Sequence, residues 1–278
     1  MRDSSIVALR KVFSYSNELK GKTINSEKCK EIVLGPAYKD FTPRTIKGLK
    51  KEDIKEALTS LAELVCDYIT ADKACDSQSS FDKWHEETCN TFLSQCKNQS
   101  GKTIPYGKAQ KILNMTMKYL YCFSDTEKYA TRFKFCHMPL DSYTLEWFCD
   151  MVVPVFNKEQ TKKSVSISTI KETSWSKLSL GKNKEEVYSY LWIQEQIRNY
   201  LQSRENRLYR NGNKDPLTPF EAEFYIWPEQ QLKQALKSIK GLKETFDCYP
   251  ECRDNAIQLL CQNAIDGIAS IQSKFHTQ

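Results

Sequence analysis

Residues 104–147 read IPYGKAQKILNMTMKYLYCFSDTEKYATRFKFCHMPLDSYTLEW, and this stretch decides the fold class. Ala109, Ile112, Leu113, Thr116, Met117 and Leu120 recur at i, i+3, i+4, i+7, i+8 and i+11, which predicts a helix with one mostly apolar stripe against a core. Lys108, Lys111 and Lys118 fall on the other side, the place of a solvated face. After a polar spacer, Pro139 disfavours the helical conformation at Met138. Asp141 is then suited to cap a second helix running through Leu145, Phe148 and Val152. A lysine on one helix and an aspartate at the cap of the next are either ordinary surface architecture or the two halves of an active site.

The helical period continues on both sides. Helices are expected over 4–20 (Ile6, Leu9, Val12, Phe13), 50–72 (Ile54, Leu58, Leu61, Val65, Tyr68), 80–97 (Phe81, Trp84, Phe92, Cys96), 185–203, 219–240 and 254–275. Pro219 sits at the first turn of the fifth of these, where its missing N–H costs nothing. Loops are expected over 34–44 and 205–219, and residues 157–186 are polar enough to be a loop or linker. Within that stretch the alternating run SVSIS, 164–168, suggests a short strand. Nine glycines and nine prolines in 278 residues are few breakers, so the expected fold is all-α. One helical domain over 1–278 with two lobes and a cleft between them is the expected organisation.

Composition narrows the class. A 40% apolar and 27% charged chain is ordinary for a folded protein. MRDSSIVALRKVF has no apolar core ahead of a small-residue cleavage site, and no run of about 18 apolar residues occurs. An intracellular, cytoplasmic protein without a membrane span is therefore expected. The net charge of +6 is modest, but the cations cluster: Lys47, Lys50, Lys51 and Lys55, then Lys102, Lys108, Lys111 and Lys118. Lys158, Lys162, Lys163 and Lys171 follow, then Arg198, Arg204, Arg207 and Arg210, and such clusters could follow a phosphate backbone. Eleven cysteines read as reduced thiols, many of them small core residues.

Several motifs fail on spacing. Gly21-Lys22-Thr23 and Gly101-Lys102-Thr103 need a glycine five residues upstream to cradle phosphate, and Ser16 and Cys96 stand there. Trp84-His85-Glu86-Glu87 would need a second histidine at 89, which is Cys89. Cys248, Cys252 and Cys261, with His276, are spaced more widely than structural zinc ligands, so no metal is expected. His137 is expected to bond a nearby carbonyl.

Lys111-Ile112-Leu113-Asn114-Met115-Thr116-Met117-Lys118 and Met138-Pro139-Leu140-Asp141 together resemble the helix-hairpin-helix DNA glycosylase superfamily, closest to its archaeal 8-oxoguanine glycosylase branch. That branch has a helix of the form Lys-Thr-Ile-Val-Phe-Ala-Val-Lys and, after an insert, a segment like Ile-Pro-Ile-Pro-Leu-Asp. The resemblance covers residues 108–192 and implies Lys111 as nucleophile and Asp141 as activator. It implies base contacts from Trp192, Met115 and Pro139, and DNA-backbone contacts from Gly107, Lys108 and Lys118. The family's hairpin carries two glycines where Pro105-Tyr106-Gly107 offers one, and its aromatic four residues past the lysine is Met115 here. The implied activity is excision of an 8-oxoguanine-like purine from double-stranded DNA through a lysine Schiff base, without cofactor. The alternative is a non-catalytic helical protein that binds nucleic acid or protein, or a defence-associated glycosylase-like protein.

Overall fold

The structure, a computed structural model, describes residues 23–41, 51–72, 75–96, 104–123, 126–159, 164–203, 210–211, 215–248 and 259–269. The helix expected over 4–20 lies outside them, as do Lys47, Lys50, Lys102, Lys162, Lys163, Arg204, Arg207, Cys252 and His276. The all-α reading holds. The helices are α1 (Ser26–Ile32), α2 (Lys55–Thr70), α3 (Gln78–Gln95), α4 (Tyr106–Phe123), α5 (Thr126–Phe133) and α6 (Ser142–Trp147). They continue with α7 (Val153–Glu159), α8 (Ile167–Glu172), α9 (Tyr190–Gln202), α10 (Pro219–Cys248) and a last helix over 259–269. Among the described residues the extended pairing is one antiparallel pair of two-residue strands, Arg210–Asn211 with Asp215–Pro216. No described helix is long and apolar enough to cross a membrane. The chain divides into two compact units, Met1–Phe224 and Tyr225–Gln278, and the boundary falls inside α10.

The first unit is built around α4. The stripe expectation is corrected here: every residue from Tyr106 to Cys122 is buried, lysines included. α4 packs against α1, α3, α5 and a 3-10 turn at Trp175–Lys177, so no face of it is left to water. A helix enclosed on all sides must find a partner for each polar group it carries. That requirement builds the site described below.

Other expectations shift with identifiable causes. The loop predicted from residue 34 is helical through Asp40: α1 runs into a π turn, Val33–Ala37, and a last turn, Tyr38–Asp40. Pro36 lacks an N–H, and the wider turn takes up the missing bond. The strand predicted at 164–168 is instead the start of α8, because the Ser166 side chain accepts from Thr169 N as an N-cap. α9 begins at Tyr190 rather than at 185: Tyr188 has φ 70°, outside the helical region, and Ser189 caps the helix. α10 continues past 240 to Cys248 because Gly241 is carried inside the helix. Nine cysteines among the described residues are free thiols, eight of them buried, as expected of small core residues.

Gly107 is held by close approach. Its N–H donates to the Leu178 carbonyl at 3.0 Å, and a Cβ on it would run into the Trp175 carbonyl oxygen. Backbone atoms of Ser176 and Leu178 lie only 3.0 and 3.1 Å from that position. Gly107→Ala is therefore expected to destabilise the protein by about 1–3 kcal/mol through overpacking. Urea unfolding measures this, and an unchanged midpoint would show that the 175–178 turn yields freely.

Candidate active site

Asp141 is placed by its own local structure. Pro139 keeps the chain extended into it, and Asp141 caps α6 through a reciprocal box. Its Oδ1 accepts from Tyr143 N (2.9 Å) and Thr144 N (3.0 Å), while its own N–H donates to Thr144 Oγ1 (2.9 Å). Thr144 Oγ1 in turn donates to the Pro139 carbonyl at 2.9 Å. With Oδ1 committed to the cap, Oδ2 is free to point at α4. It receives Lys111 Nζ at 2.7 Å. The side chains of Lys111 and Asp141 retain only 6% and 12% of their accessible surface. Burial pushes the Asp141 carboxyl up, but the Lys111 ammonium, the Thr144 amide and the charge of Lys118 outweigh it and hold it below the usual carboxylate range.

A second buried pair lies two turns along α4. Lys118 Nζ meets Glu223 Oε2 at 2.6 Å and sits 5.1 Å from the centre of the Phe224 ring. Burial pushes the Glu223 carboxyl above its ordinary value despite Lys118. One turn before Lys111, Lys108 Nζ donates to the Phe41 carbonyl (3.3 Å) and lies 4.6 Å from the Trp175 ring. Burial and the nearby Lys111 charge push its amine down to about 8.

The sequence-predicted residues thus separate. Lys111 and Asp141 meet, and Pro139 leads into the cap. Gly107, Lys108 and Lys118 lie inside the core, where the Leu178 carbonyl, the Phe41–Trp175 surface and Glu223 hold them. They are not presented to a DNA backbone in this state. Met115 is buried at 6% exposure, and Trp192 packs edge-on against Phe148 and Phe156.

No protein-family model, curated protein or solved structure matches the chain. What the site can do therefore has to be read from its chemistry, and its surroundings are more polar than the sequence suggested.

Gln110, next to Lys111, donates from Nε2 to the Leu140 and Gly107 carbonyls, both at 2.9 Å. Its Oε1 accepts from Leu140 N (3.2 Å) and Asn114 Nδ2 (3.0 Å). From α9, Gln194 treats Met138 the same way: Oε1 accepts from Met138 N (3.2 Å) and Nε2 donates to Met138 O (2.8 Å). Asn114 also donates to Tyr190 Oη (2.9 Å), and its Oδ1 accepts from His85 Nε2 (3.0 Å). Tyr190 donates to His137 Nδ1 (2.8 Å), and His137 Nε2 donates to Asp82 Oδ1 (2.7 Å). His137 therefore bonds two side chains rather than a backbone carbonyl. Lys184 Nζ, 2.8 Å from Asp82, carries the network toward the surface.

Sequence reading missed Gln110, Asn114, Gln194, His85, Tyr190 and Asp82. One available signal was polar side chains at helix-core positions: Gln110 and Asn114 lie at i, i+4 on α4, and Gln194 falls in the buried register of α9. Burial lowers the His85 and His137 pKa values, against the pull of Asn114 and Asp82 respectively, so both rings are neutral. A neutral ring is also what lets Nδ1 of His137 accept from Tyr190.

A pH dependence follows. Groups whose folded pKa is depressed supply stability that is full above the unfolded value, about 6.5 for histidine, and lost progressively as pH falls from there through the lower folded value. Glu223, raised by burial, works in the opposite sense nearer the carboxylate range. The Tm is expected to fall from pH 7.5 to 5.5, and a Tm that is flat over that window would contradict neutral buried histidines.

Proposed function

We propose that Lys111 and Asp141 form the catalytic centre of a DNA glycosylase with AP-lyase activity, acting on an oxidised purine such as 8-oxoguanine. The observation that carries this reading is the 2.7 Å contact between the two side chains, on elements 30 residues apart, with one aspartate oxygen fixed as a cap and the other aimed at the amine. An extruded nucleotide would present its C1′ to Lys111. As the glycosidic bond breaks, its electron pair leaves with the base, and positive charge develops on the sugar. Asp141, ionised, stabilises that charge. The lysine ammonium gives one proton to the departing base, and its nitrogen then bonds to C1′. The C1′–O4′ bond breaks as the nitrogen lone pair forms the iminium, and a second nitrogen proton passes to O4′, which leaves as a hydroxyl. Loss of a C2′ proton then expels the 3′ phosphate.

A second reading, a non-catalytic helical binding protein, is favoured by the burial of the same pair, since buried ion pairs also serve as structure. Borohydride trapping on an 8-oxoguanine duplex separates them. The wild type is expected to give a covalent protein–DNA adduct and Lys111→Gln none. Equal trapping by the two proteins would leave only the binding reading.

A further inference from the structure

Two parallel cross-links join α4 to the segment entering α6. Lys111 holds Asp141, and the residue before it on α4, Gln110, holds the residue before Asp141, Leu140. We propose that Gln110 is a positioning residue: its side-chain amide clamps both backbone polar groups of Leu140 and thereby fixes where the Asp141 carboxylate stands relative to Lys111.

A lysine–carboxylate contact tolerates sliding, because the ammonium is a point charge on a flexible four-carbon stem. A backbone N–H and C=O held by one planar amide do not slide, because two opposed hydrogen bonds fix both position and tilt. Gln110 is fully buried, and its four hydrogen bonds use both Nε2 protons and both Oε1 acceptor sites. Turning its amide over would set donor against donor at Leu140 N and acceptor against acceptor at Leu140 O. Asn114 blocks that rotation by donating to Oε1, and Asn114 is itself set by His85 and Tyr190. Gln194 pins Met138 on the other side of Pro139, so the segment that delivers Asp141 is held at two alternate residues, Met138 and Leu140, without belonging to any sheet. Dispersing such fixed donors around an extended tripeptide goes beyond what an N-cap requires.

The inference rests on the glycosylase reading for its catalytic meaning, but the clamp itself is measurable without DNA. Gln110→Met removes all four hydrogen bonds at nearly constant volume. Gln110→Glu keeps the acceptor for Leu140 N–H and loses the donors, and it serves if the methionine variant does not fold. The full chain would be labelled at aspartate side-chain carbons, with the Asp141 resonance assigned by Asp141→Asn, and titrated by NMR. In parallel, single-turnover excision of 8-oxoguanine and DNA affinity would be measured.

The variant is expected to raise the Asp141 pKa by about one unit, a tenfold weaker preference for the ionised form. Excision is expected to fall about 10- to 100-fold with DNA affinity unchanged, the size of effect a small misplacement produces. An unmoved Asp141 titration overturns the proposal, whether or not excision falls, since any loss would then not run through Asp141. A moved titration in a protein whose wild type excises nothing upholds the clamp and removes the glycosylase reading instead.

Discussion

Lys118→Met is expected to lower the free energy of unfolding by about 3–5 kcal/mol at neutral pH, the cost of leaving one member of a buried pair uncompensated. Lys118 and Glu223 keep 2% and 1% of their side-chain surface, so water cannot take over the role of the missing ammonium. Methionine fills much of the vacated stem, which confines the loss mainly to charge. The carboxyl of Glu223 is already raised by burial, and without Lys118 it rises further. A group raised in the folded state contributes stability that is present below its unfolded pKa and lost as pH rises through the folded one. The deficit should therefore shrink as the pH is lowered toward the range in which Glu223 protonates. Lys118→Met/Glu223→Leu should recover most of the loss, because an apolar pair of similar volume replaces a buried ion pair at little cost. Urea unfolding of the four proteins of this cycle measures the coupling. A single variant within about 1 kcal/mol of wild type would show that Lys118 is not needed to neutralise Glu223.

The pairing of Lys111 with Asp141 was what the glycosylase resemblance implied. Local signals, a helical register on one side and a proline break followed by a capping residue on the other, marked the two elements but did not choose Lys111 over Lys108 or Lys118. The burial of the lysines was not legible. Counting apolar positions on α4 reveals one stripe, whereas the opposite face is covered by Phe41, Trp175 and Glu223, which come from distant parts of the chain. The same limit hid the polar network, since the His137–Asp82 and Asn114–Tyr190 contacts join residues 55 and 76 positions apart. No local pattern marks such a partner. A glycine in the first turn of a helix is equally ambiguous by sequence: Gly107 could have served a phosphate, and here it admits the backbone of the 175–178 turn.

Asp141→Asn is expected to slow excision of the base by about 10²–10³-fold, the usual cost of losing one group aimed at developing charge. Asparagine is as good an N-cap as aspartate, so Oδ1 can keep its bonds to Tyr143 and Thr144 and α6 should persist. What changes is the atom facing Lys111, where an amide N–H₂ would replace the charged oxygen at 2.7 Å. The variant should lose stability as well, because the Lys111 ammonium is left in a largely buried site without its counter-ion. That loss alone does not separate a catalytic pair from a structural one. The separation comes from two substrates compared at a temperature where the variant is folded. On a duplex containing 8-oxoguanine the reaction must break the glycosidic bond and needs the carboxylate. On a duplex with a preformed abasic site that bond is already gone, and a neutral lysine suffices to form the iminium. The abasic substrate should therefore trap within about tenfold of wild type. An equal loss on both substrates would mean that Asp141 only holds the lysine in place, and that the developing charge on the sugar is met by another group.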